Sequence, residues 1–317
     1  MTRHYSNMAF ISFDSEMKER FGGKVYRLSL STGCTCPNRD GKCGTGGCIF
    51  CSAGGSGEFA EAAVLPVEIQ IEKAKEKVAG KLSRNFAGYL AYFQSFTNTY
   101  IHDAGELEKL RKMFMTAIGH REILGLSIAT RPDCLDDAVM EMLSELNRIK
   151  PVWVELGLQT CNDGTAAYIN RGYKTEVYDE AVDRLHKEGI AVITHVIIGL
   201  PGEDENMAAE TLRHVIDKSE QRGDKIIRDG VKLTLLYVLK GTRLEKMISE
   251  GMAVIREYSL EEYAGVLKKL LMMIPADMTV HRITGDPPKA LLISPKWTAD
   301  KKKTLNYLRK YAYQDQT

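Results

Sequence analysis

The sequence has no long apolar run and almost no net charge. No segment of its 317 residues approaches the roughly eighteen apolar residues of a membrane-spanning helix, so the sequence predicts no membrane span. Its 43 Lys and Arg nearly balance its 42 Asp and Glu, which gives a formal net charge of +1. This balance creates no global positive field that would attract nucleic acid, so any basic binding surface must be local.

The sequence also lacks the features of a targeted or disulfide-bonded chain. Residues 1–20, MTRHYSNMAFISFDSEMKER, are too polar and too acidic for a signal or transit peptide, so we expect a cytoplasmic protein. Seven cysteines are an odd number, and in a reducing compartment thiols are more often metal ligands or catalysts than disulfides. We therefore expect the clustered cysteines to be metal ligands or catalytic groups rather than disulfides.

No linker rich in Pro, Gly or Ser, no low-complexity tract and no repeat divides the chain. The hydrophobic fraction of 44% is ordinary for a globular protein of this length. The simplest partition is an N-terminal extension over 1–20, a main domain over 21–242 and a C-terminal extension over 243–317.

Short β-rich runs alternate with helical segments along the chain. The runs are almost continuously apolar, which is typical of strands covered on both faces of a parallel sheet, and they lie at 25–30, 88–94, 123–130, 152–159, 191–200 and 231–239. Helical patterns lie at 66–83, 104–118, 136–148, 175–188 and 205–221, and a capping box of Ser259 and Glu262 predicts a further helix. The alternation predicts an α/β fold with a parallel sheet.

The loops after the strands are the expected place for a site, because ligands of parallel α/β folds bind at the carboxyl ends of the strands. The first such loop, CTCPNRDGKCGTGGCIFC at 34–51, holds five of the seven cysteines. Cys48 and Cys51 form a Cys-x-x-Cys pair, and a third thiolate can come from Cys34, Cys36 or Cys43. Zinc bound by four cysteines is one interpretation. An iron–sulfur cubane held by three thiolates, with one iron open to a non-protein ligand, is the other.

The Cys loop and the motifs after it resemble the radical S-adenosylmethionine (SAM) superfamily. The resemblance runs from about residue 20 to the C-terminus and rests also on YFQSFTNTY, TRPD, ELGLQT and NRGY. Within the superfamily the sequence is similar to a group of small bacterial proteins, the YhcC/YtqA type, related to the radical domain of Elongator's catalytic subunit. The resemblance implies a partial parallel (β/α)6 barrel over 21–242, followed by a C-terminal α/β extension.

The same resemblance implies the cofactors. A 4Fe-4S cluster would be held by Cys36, Cys48 and Cys51, with Phe50 ahead of the last ligand. S-adenosyl-L-methionine would bind the open iron and be cleaved to a 5′-deoxyadenosyl radical, with an electron from a donor such as flavodoxin or ferredoxin. The spacing departs from the superfamily, because eleven residues separate Cys36 from Cys48 where three are usual. Cys34 and Cys43 therefore remain rival first ligands.

Residues at the strand ends are implied to bind SAM. Gln94 and Thr97 stand where the superfamily usually has Gly-Gly-Glu, and Arg171 matches a position where an arginine meets the SAM carboxylate, with a loop salt bridge as the alternative. Glu155 in its apolar strand is costly unless paired, so it predicts either a ribose or cation partner or a buried ion pair. His195 is either a SAM contact or a core histidine. Gly199 is either a position where adenine approaches the backbone or an ordinary turn glycine. The full set is Gln94, Thr97, Thr130, Arg131, Glu155, Gln159, Arg171, His195 and Gly199.

The relationship to Elongator suggests RNA, and specifically a tRNA wobble uridine, as the substrate. A C-terminal segment of basic and aromatic residues is typical of a nucleic-acid surface, although a solvated amphipathic helix explains it equally well. Arg282 and Asp286 are expected on a substrate-side wall. Two alternatives stay open: radical chemistry on a small metabolite or a protein side chain, and a non-catalytic zinc protein that binds nucleic acid. The basic and aromatic residues are Lys296, Trp297, Lys301, Lys302, Lys303, Tyr307, Arg309, Lys310, Tyr311 and Tyr313.

Overall fold

Eight parallel strands form one sheet at the centre of the computed structural model, which describes residues 10–55, 57–220 and 228–313. Their order across the sheet is β1-β9-β7-β6-β5-β4-β3-β2, and every neighbouring pair is parallel. A separate antiparallel pair consists of β8 and β10. The strands are β1 Ile11–Ser12, β2 Lys24–Leu30, β3 Phe86–Phe93, β4 Ile123–Thr130, β5 Val152–Gln159, β6 Ala191–Ile198, β7 Gly230–Leu235, β8 Val238–Leu239, β9 Thr279–Arg282 and β10 Leu292–Ser294.

Helices pack against this sheet, and the main apolar core lies between the two layers. The predicted helices are present, and the capping box of Ser259 and Glu262 forms as expected. Within the described ranges, no helix is both long enough and apolar enough to cross a membrane. The helices are α1 Phe13–Phe21, α2 Val67–Ala79, α3 Ala104–Gly119, α4 Asp137–Ile149, α5 Asp163–Tyr168, α6 Thr175–Lys187, α7 Glu205–Glu220, α8 Arg243–Ser249, α9 Leu260–Leu271 and α10 Lys301–Tyr313.

The sheet curls until strands from its two ends meet. Nη2 of Arg27 on β2 lies 3.0 Å from Nδ1 of His281 on β9, although five strands of the sheet lie between β2 and β9. Helix α1 packs against both strands, with the Phe13 ring 3.8 Å below the Arg27 guanidinium and 5.0 Å from the His281 ring. The result is a partial barrel whose open side is covered by α1, which confirms the predicted fold class.

Two strands end earlier than the sequence predicted. The strand expected over 191–200 stops at Ile198, because Gly199 turns the chain with a φ of 82°. The strand expected over 231–239 breaks after Leu235: the N–H of Leu236 still donates to Ile198, but the chain then leaves the sheet and β8 pairs with β10. A continuous apolar run does not reveal such a break, because both pieces are buried.

Three short strands carried no signal in the sequence. β1, β9 and β10 have only two to four residues each, which is too few to show an apolar or alternating strand pattern. Nevertheless β9 pairs with β7 on one side and β1 on the other, and so brings residues near 280 into the central sheet.

The inside of the barrel is layered, because alternate residues of each strand point inward. The lower layer is an apolar plug in which Val25, Leu90 and Trp153 pack on Met17 of α1. Two residues further along the strands, the inward positions are charged or polar. This second layer, here called the polar floor, consists of Arg27, Tyr92, Ser127, Glu155, His195, Lys232 and Arg282.

Candidate active site

A cavity of about 450 Å³ opens above the polar floor, at the carboxyl ends of the strands. The Cys loop lines one part of its wall, and Arg282 and residues 285–288 line another. Every predicted cofactor or metal residue except Gly199 faces this space. These residues are Cys36, Cys48, Phe50, Cys51, Gln94, Thr97, Thr130, Arg131, Glu155, Gln159, Arg171 and His195.

Gly199 lies outside the cavity wall. A side chain built at this position would meet the ring of Tyr258 at 3.0 Å, and the φ of 82° suits glycine. The structure therefore places Gly199 in a turn packed against Tyr258, which was the alternative to the adenine contact that the resemblance implied.

Three of the five loop thiols, those of Cys36, Cys48 and Cys51, face the cavity. Cys48 and Cys51 belong to one tight turn, in which the Cys51 N–H donates to the Cys48 carbonyl over 3.0 Å. Interaction with the Cys51 thiol raises the pKa of Cys48, and the same interaction lowers the pKa of Cys51. Ile49, between the two, is buried and donates its N–H to the carbonyl of Ile169, so the turn is fixed to the protein body.

The other two loop thiols do not line the cavity. Cys34 packs against the main core, whereas Cys43 is exposed and its Sγ lies 3.5 Å from Nη2 of Arg131. Within the described ranges, no three Cys, His, Asp or Glu side chains converge tightly enough to bind a single metal ion.

All five N–H donors of Arg171 point at protein acceptors, and its side chain is only 1% exposed. These contacts tie the NRGY segment to the end of β5, which is the loop role considered as the alternative to a SAM contact. The contact with the SAM carboxylate that the resemblance implies stays a prediction. The acceptors, at 2.6 to 3.4 Å, are the carbonyls of Leu158, Thr160 and Tyr173 and the side chains of Asp163 and Thr175.

Arg131 joins the TRPD segment to the Cys loop and to NRGY. Its guanidinium forms a two-pronged ion pair with Asp133 at 2.9 and 2.7 Å, and Nη1 donates to the carbonyl of Arg171 over 2.9 Å. Its Nη2 also contacts the Cys43 sulfur, and the guanidinium lies 4.8 Å from the centre of the Tyr173 ring. Arg131 therefore connects three of the motifs on which the resemblance rests.

Glu155 is the carboxylate of the polar floor, and it forms a buried ion pair with Lys232. Its Oε1 accepts from Ser127 over 2.6 Å, and its Oε2 lies 2.8 Å from Nε2 of His195. Burial alone would raise the pKa of Glu155, but the charge of Lys232 and the hydrogen bond to His195 hold it well below its usual value. Burial and Lys232 lower the pKa of His195, so this histidine is a neutral partner. The ion-pair interpretation of Glu155 thus describes the structure.

Amide and hydroxyl groups complete the upper wall. Gln159 has a φ of 62°, and among the described residues its buried Oε1 has no hydrogen-bond partner. Thr97 is buried, Thr130 shares a 2.5 Å hydrogen bond with Thr99, and Gln94 lies at the same rim. A buried acceptor without a partner is costly, and an amino or hydroxyl group of a ligand would satisfy it. The wall therefore fits a polar cofactor such as SAM.

Several residues of the site were missed from the sequence. Arg27, Lys232 and Tyr92 lie in strands that were recognised, but their inward direction was not used. A charged residue within an apolar strand is costly unless paired, so Arg27 in VYRLSL and Lys232 in VKLTLL carried the same signal as Glu155. Asn38 was missed as well: it is fully buried, its Nδ2 donates to the Asn170 carbonyl and lies 3.9 Å from Cys48 Sγ.

Most of the C-terminal basic segment lies on α10, which begins at the cavity, whereas Trp297 and the exposed Lys296 precede it in a short 3-10 helix, Lys296–Ala299. Lys301 lines the cavity and pairs with Asp286, while Lys302, Lys303, Arg309 and Lys310 are exposed. The rings of Tyr307 and Tyr311 stack at 6.1 Å with an angle of 10°. Trp297 instead packs on the core and donates Nε1–H to the Tyr258 carbonyl over 2.8 Å, and the Tyr313 side chain lies outside the described part.

Family models match both parts of the chain. The Radical SAM superfamily matches residues 32–215, which is more than half of the chain, and the Radical SAM C-terminal domain matches residues 228–314. Together with the partial barrel and the cysteine-lined cavity, these matches define a radical SAM enzyme. The chain belongs to the radical SAM superfamily.

Individual relatives refine this assignment. YtqA of Bacillus subtilis strain 168, an uncharacterized protein, is 41% identical over 308 residues, which are 96% of this chain and 91% of YtqA. The predicted relationship to this type is thereby confirmed. The tRNA uridine(34) acetyltransferase of Methanocaldococcus jannaschii is 28% identical over 192 residues, which are 60% of this chain and 33% of that enzyme.

A solved structure shows the same fold. Elp3 of Methanocaldococcus infernus, with an N-terminal deletion, superposes with a TM-score of 0.64 at 17% sequence identity. The match covers 91% of this chain but only 63% of the Elp3 chain, so this chain spans less than two thirds of that protein.

Proposed function

We propose that this enzyme cleaves SAM reductively at a 4Fe-4S cluster held by Cys36, Cys48 and Cys51, and that it modifies the wobble uridine of tRNA. The observation that carries the proposal is that three loop thiols and a polar wall line one cavity at the carboxyl ends of the strands. When bound, the cluster would supply one electron to the sulfonium of SAM, and breakage of its carbon–sulfur bond would release methionine and a 5′-deoxyadenosyl radical able to abstract a substrate hydrogen.

The residues of the chain hold and orient the reactants. The thiolates of Cys36, Cys48 and Cys51 would hold the cluster, and the buried turn around Ile49 keeps the last two fixed. Gln159 and the hydroxyl groups of Thr97 and Thr130 offer hydrogen bonds to SAM from the upper wall. An electron donor such as flavodoxin or ferredoxin is required, and we expect the reaction to take place in the cytoplasm.

Two features support tRNA as the substrate. One is the similarity to the tRNA uridine(34) acetyltransferase over 192 residues. The other is the position of α10, whose exposed lysines run from the cavity rim at Lys301 and whose tyrosines stack on the surface. Lysines neutralise phosphates and aromatic rings stack on bases. Phe59, which lines the cavity and is 49% exposed, offers a further ring at its mouth.

Anaerobic purification and reconstitution test the cofactor part. We expect about four iron and four sulfide per chain, a brown colour bleached by dithionite, and formation of 5′-deoxyadenosine from SAM. Cys36→Ala, Cys48→Ala and Cys51→Ala should abolish SAM cleavage, whereas Cys34→Ala and Cys43→Ala are matched controls that should retain it. Loss of cleavage in Cys43→Ala with retention in Cys36→Ala would overturn the ligand set.

Nucleoside analysis tests the substrate part. Total tRNA from cells that lack the protein should lose or accumulate one modified wobble uridine, and the wild-type gene should restore the profile where Cys48→Ala does not. An unchanged profile, with SAM cleavage intact, would contradict the tRNA proposal and favour a small metabolite or a protein side chain as the substrate.

A further inference from the structure

The polar floor carries more positive than negative charge. It contains the cations Arg27, Lys232 and Arg282, and one carboxylate, Glu155. Both oxygens of Glu155 are used by Ser127, His195 and Lys232. Glu155 therefore neutralises the lysine and leaves the two arginines as excess charge.

Arg27 has no carboxylate partner within 4 Å among the described residues. Its Nη2 contacts His281, its guanidinium stacks on the Phe13 ring at 3.8 Å, and its Nε is buried without a hydrogen-bond partner. Glu16 lies behind His281, 3.9 Å from its Nε2, and burial raises the pKa of this carboxyl group, which weakens it as a counter-charge. Burial also lowers the pKa of Arg27, as expected for a cation that lacks a close partner.

Arg282 is the second cation of the floor without a counter-charge. It follows His281 on β9, is aligned with Lys232 of β7 and lines the cavity. No hydrogen bond or ion pair of its side chain with another described residue is formed within 4 Å. Arg282 repels Lys232. Burial is the main reason why the pKa of Lys232 is lowered, and the positive charge of Arg282 lowers it further.

The two arginines are separated in depth from the Cys loop. Arg27 precedes the end of β2 at Leu30 by three residues, which is about 10 Å of extended chain, and the first loop thiol follows only beyond that end. A group that reaches Arg27 and Arg282 must therefore enter past the cysteines to the floor of the cavity. Guanidinium groups match carboxylates and phosphates in shape and bind them by charge-assisted hydrogen bonds.

We propose that Arg27 and Arg282 bind an anionic group of the substrate, a carboxylate or a phosphate, on the floor of the cavity. The inference rests on the proposed function only in that the cavity is the active site. An anion held at the floor orients the rest of the substrate toward the Cys loop, which is the proposed binding site of the cluster and SAM. Substrates that lack the anion should bind less tightly, because they would leave the buried positive charge without a partner.

Calorimetric titration of the reconstituted holoenzyme tests this site. Sodium phosphate and sodium acetate serve as separate probes in chloride buffer, each with and without saturating SAM. We expect at least one probe to bind the wild type, and about tenfold weaker binding to Arg282→Gln and to Arg27→Gln. Stronger binding of acetate indicates a carboxylate, and stronger binding of phosphate indicates a phosphate group.

Matched variants separate this role from a structural one. Arg282→Lys, which keeps the charge, should recover part of the binding, and Arg256→Gln, an exposed arginine outside the cavity, should bind like the wild type. A wild type that binds neither probe, arginine variants that bind as well as the wild type, or complete loss of binding with SAM would each overturn the proposal. Failure of SAM cleavage would contradict the proposed function instead, because the titration requires no turnover.

Discussion

The ammonium group of Lys232 and the carboxylate of Glu155 form an ion pair inside the barrel, and both side chains have no exposed surface. The pair joins β7 to β5 across β6, which lies between them in the sheet. It also fills the centre of the polar floor, where Tyr92 accepts a 3.1 Å hydrogen bond from Lys232. The pair therefore fixes the shape of the cavity as well as its charge.

Removal of one member of this pair should be strongly destabilising. Lys232→Met leaves the Glu155 carboxylate buried without its main counter-charge, and we expect the free energy of unfolding to fall by about 3 to 5 kcal/mol. Lys232→Met combined with Glu155→Gln removes both charges and should regain a large part of that loss. Urea unfolding of both variants at neutral pH measures the difference, and equal stabilities would contradict the ion-pair account.

The pair also predicts a dependence of stability on pH. The folded-state pKa of Glu155 lies below its ordinary value of 4.5, so its stabilisation is complete above that value and is lost as the pH falls through the folded-state pKa. Glu155→Gln should therefore be less stable than the wild type at pH 7, with a difference that shrinks below about pH 4.5. Glu76→Gln, on the exposed face of α2, should follow the wild type at every pH.

The long strands of the sheet could be predicted from local sequence signals, whereas the short strand β9 and the curl of the sheet could not. Strands β2 to β7 are recognisable in the sequence because burial on both faces makes them continuously apolar. β9 does not, because TVHR is four residues long and is held in place by β7 and by α1 rather than by its own composition. The spacing of the loop cysteines singled out Cys48 and Cys51, whereas Cys36 was chosen over Cys34 and Cys43 only through the family resemblance. The pairing of Arg27 with His281 depends on the curl of the sheet, which no local pattern records.

Gly157 should control the position of Gln159. A side chain at residue 157 would collide with the amide nitrogen of Gln159, which is the flexible end of a side chain and can move aside. Gly157→Ala should therefore weaken SAM binding about tenfold while the melting temperature changes little. Gly265→Ala, in α9 with open space around the new methyl group, is the control and should bind SAM normally. Unaltered SAM affinity in Gly157→Ala would exclude Gln159 from the SAM contact.

The lysines of α10 should contribute to tRNA affinity through phosphate contacts. Replacement of Lys302 and Lys303 by Gln should weaken tRNA binding and reduce the slope of log affinity against log salt by about 0.7 to 0.9 per lost contact. The paired control is Lys73→Gln with Lys112→Gln, which are exposed on α2 and α3. Filter binding across a salt series measures both, and identical slopes in the two double variants would contradict an RNA role for α10.

The central claim is that three thiols leave one iron open to SAM, and electron paramagnetic resonance of the dithionite-reduced protein tests it most directly. Addition of SAM should change the spectrum of the reduced cluster in the wild type and in Cys43→Ala. The cluster signal should be absent from Cys48→Ala. A cluster spectrum that SAM leaves unchanged would contradict the account, because it would show that the fourth coordination position is closed to SAM.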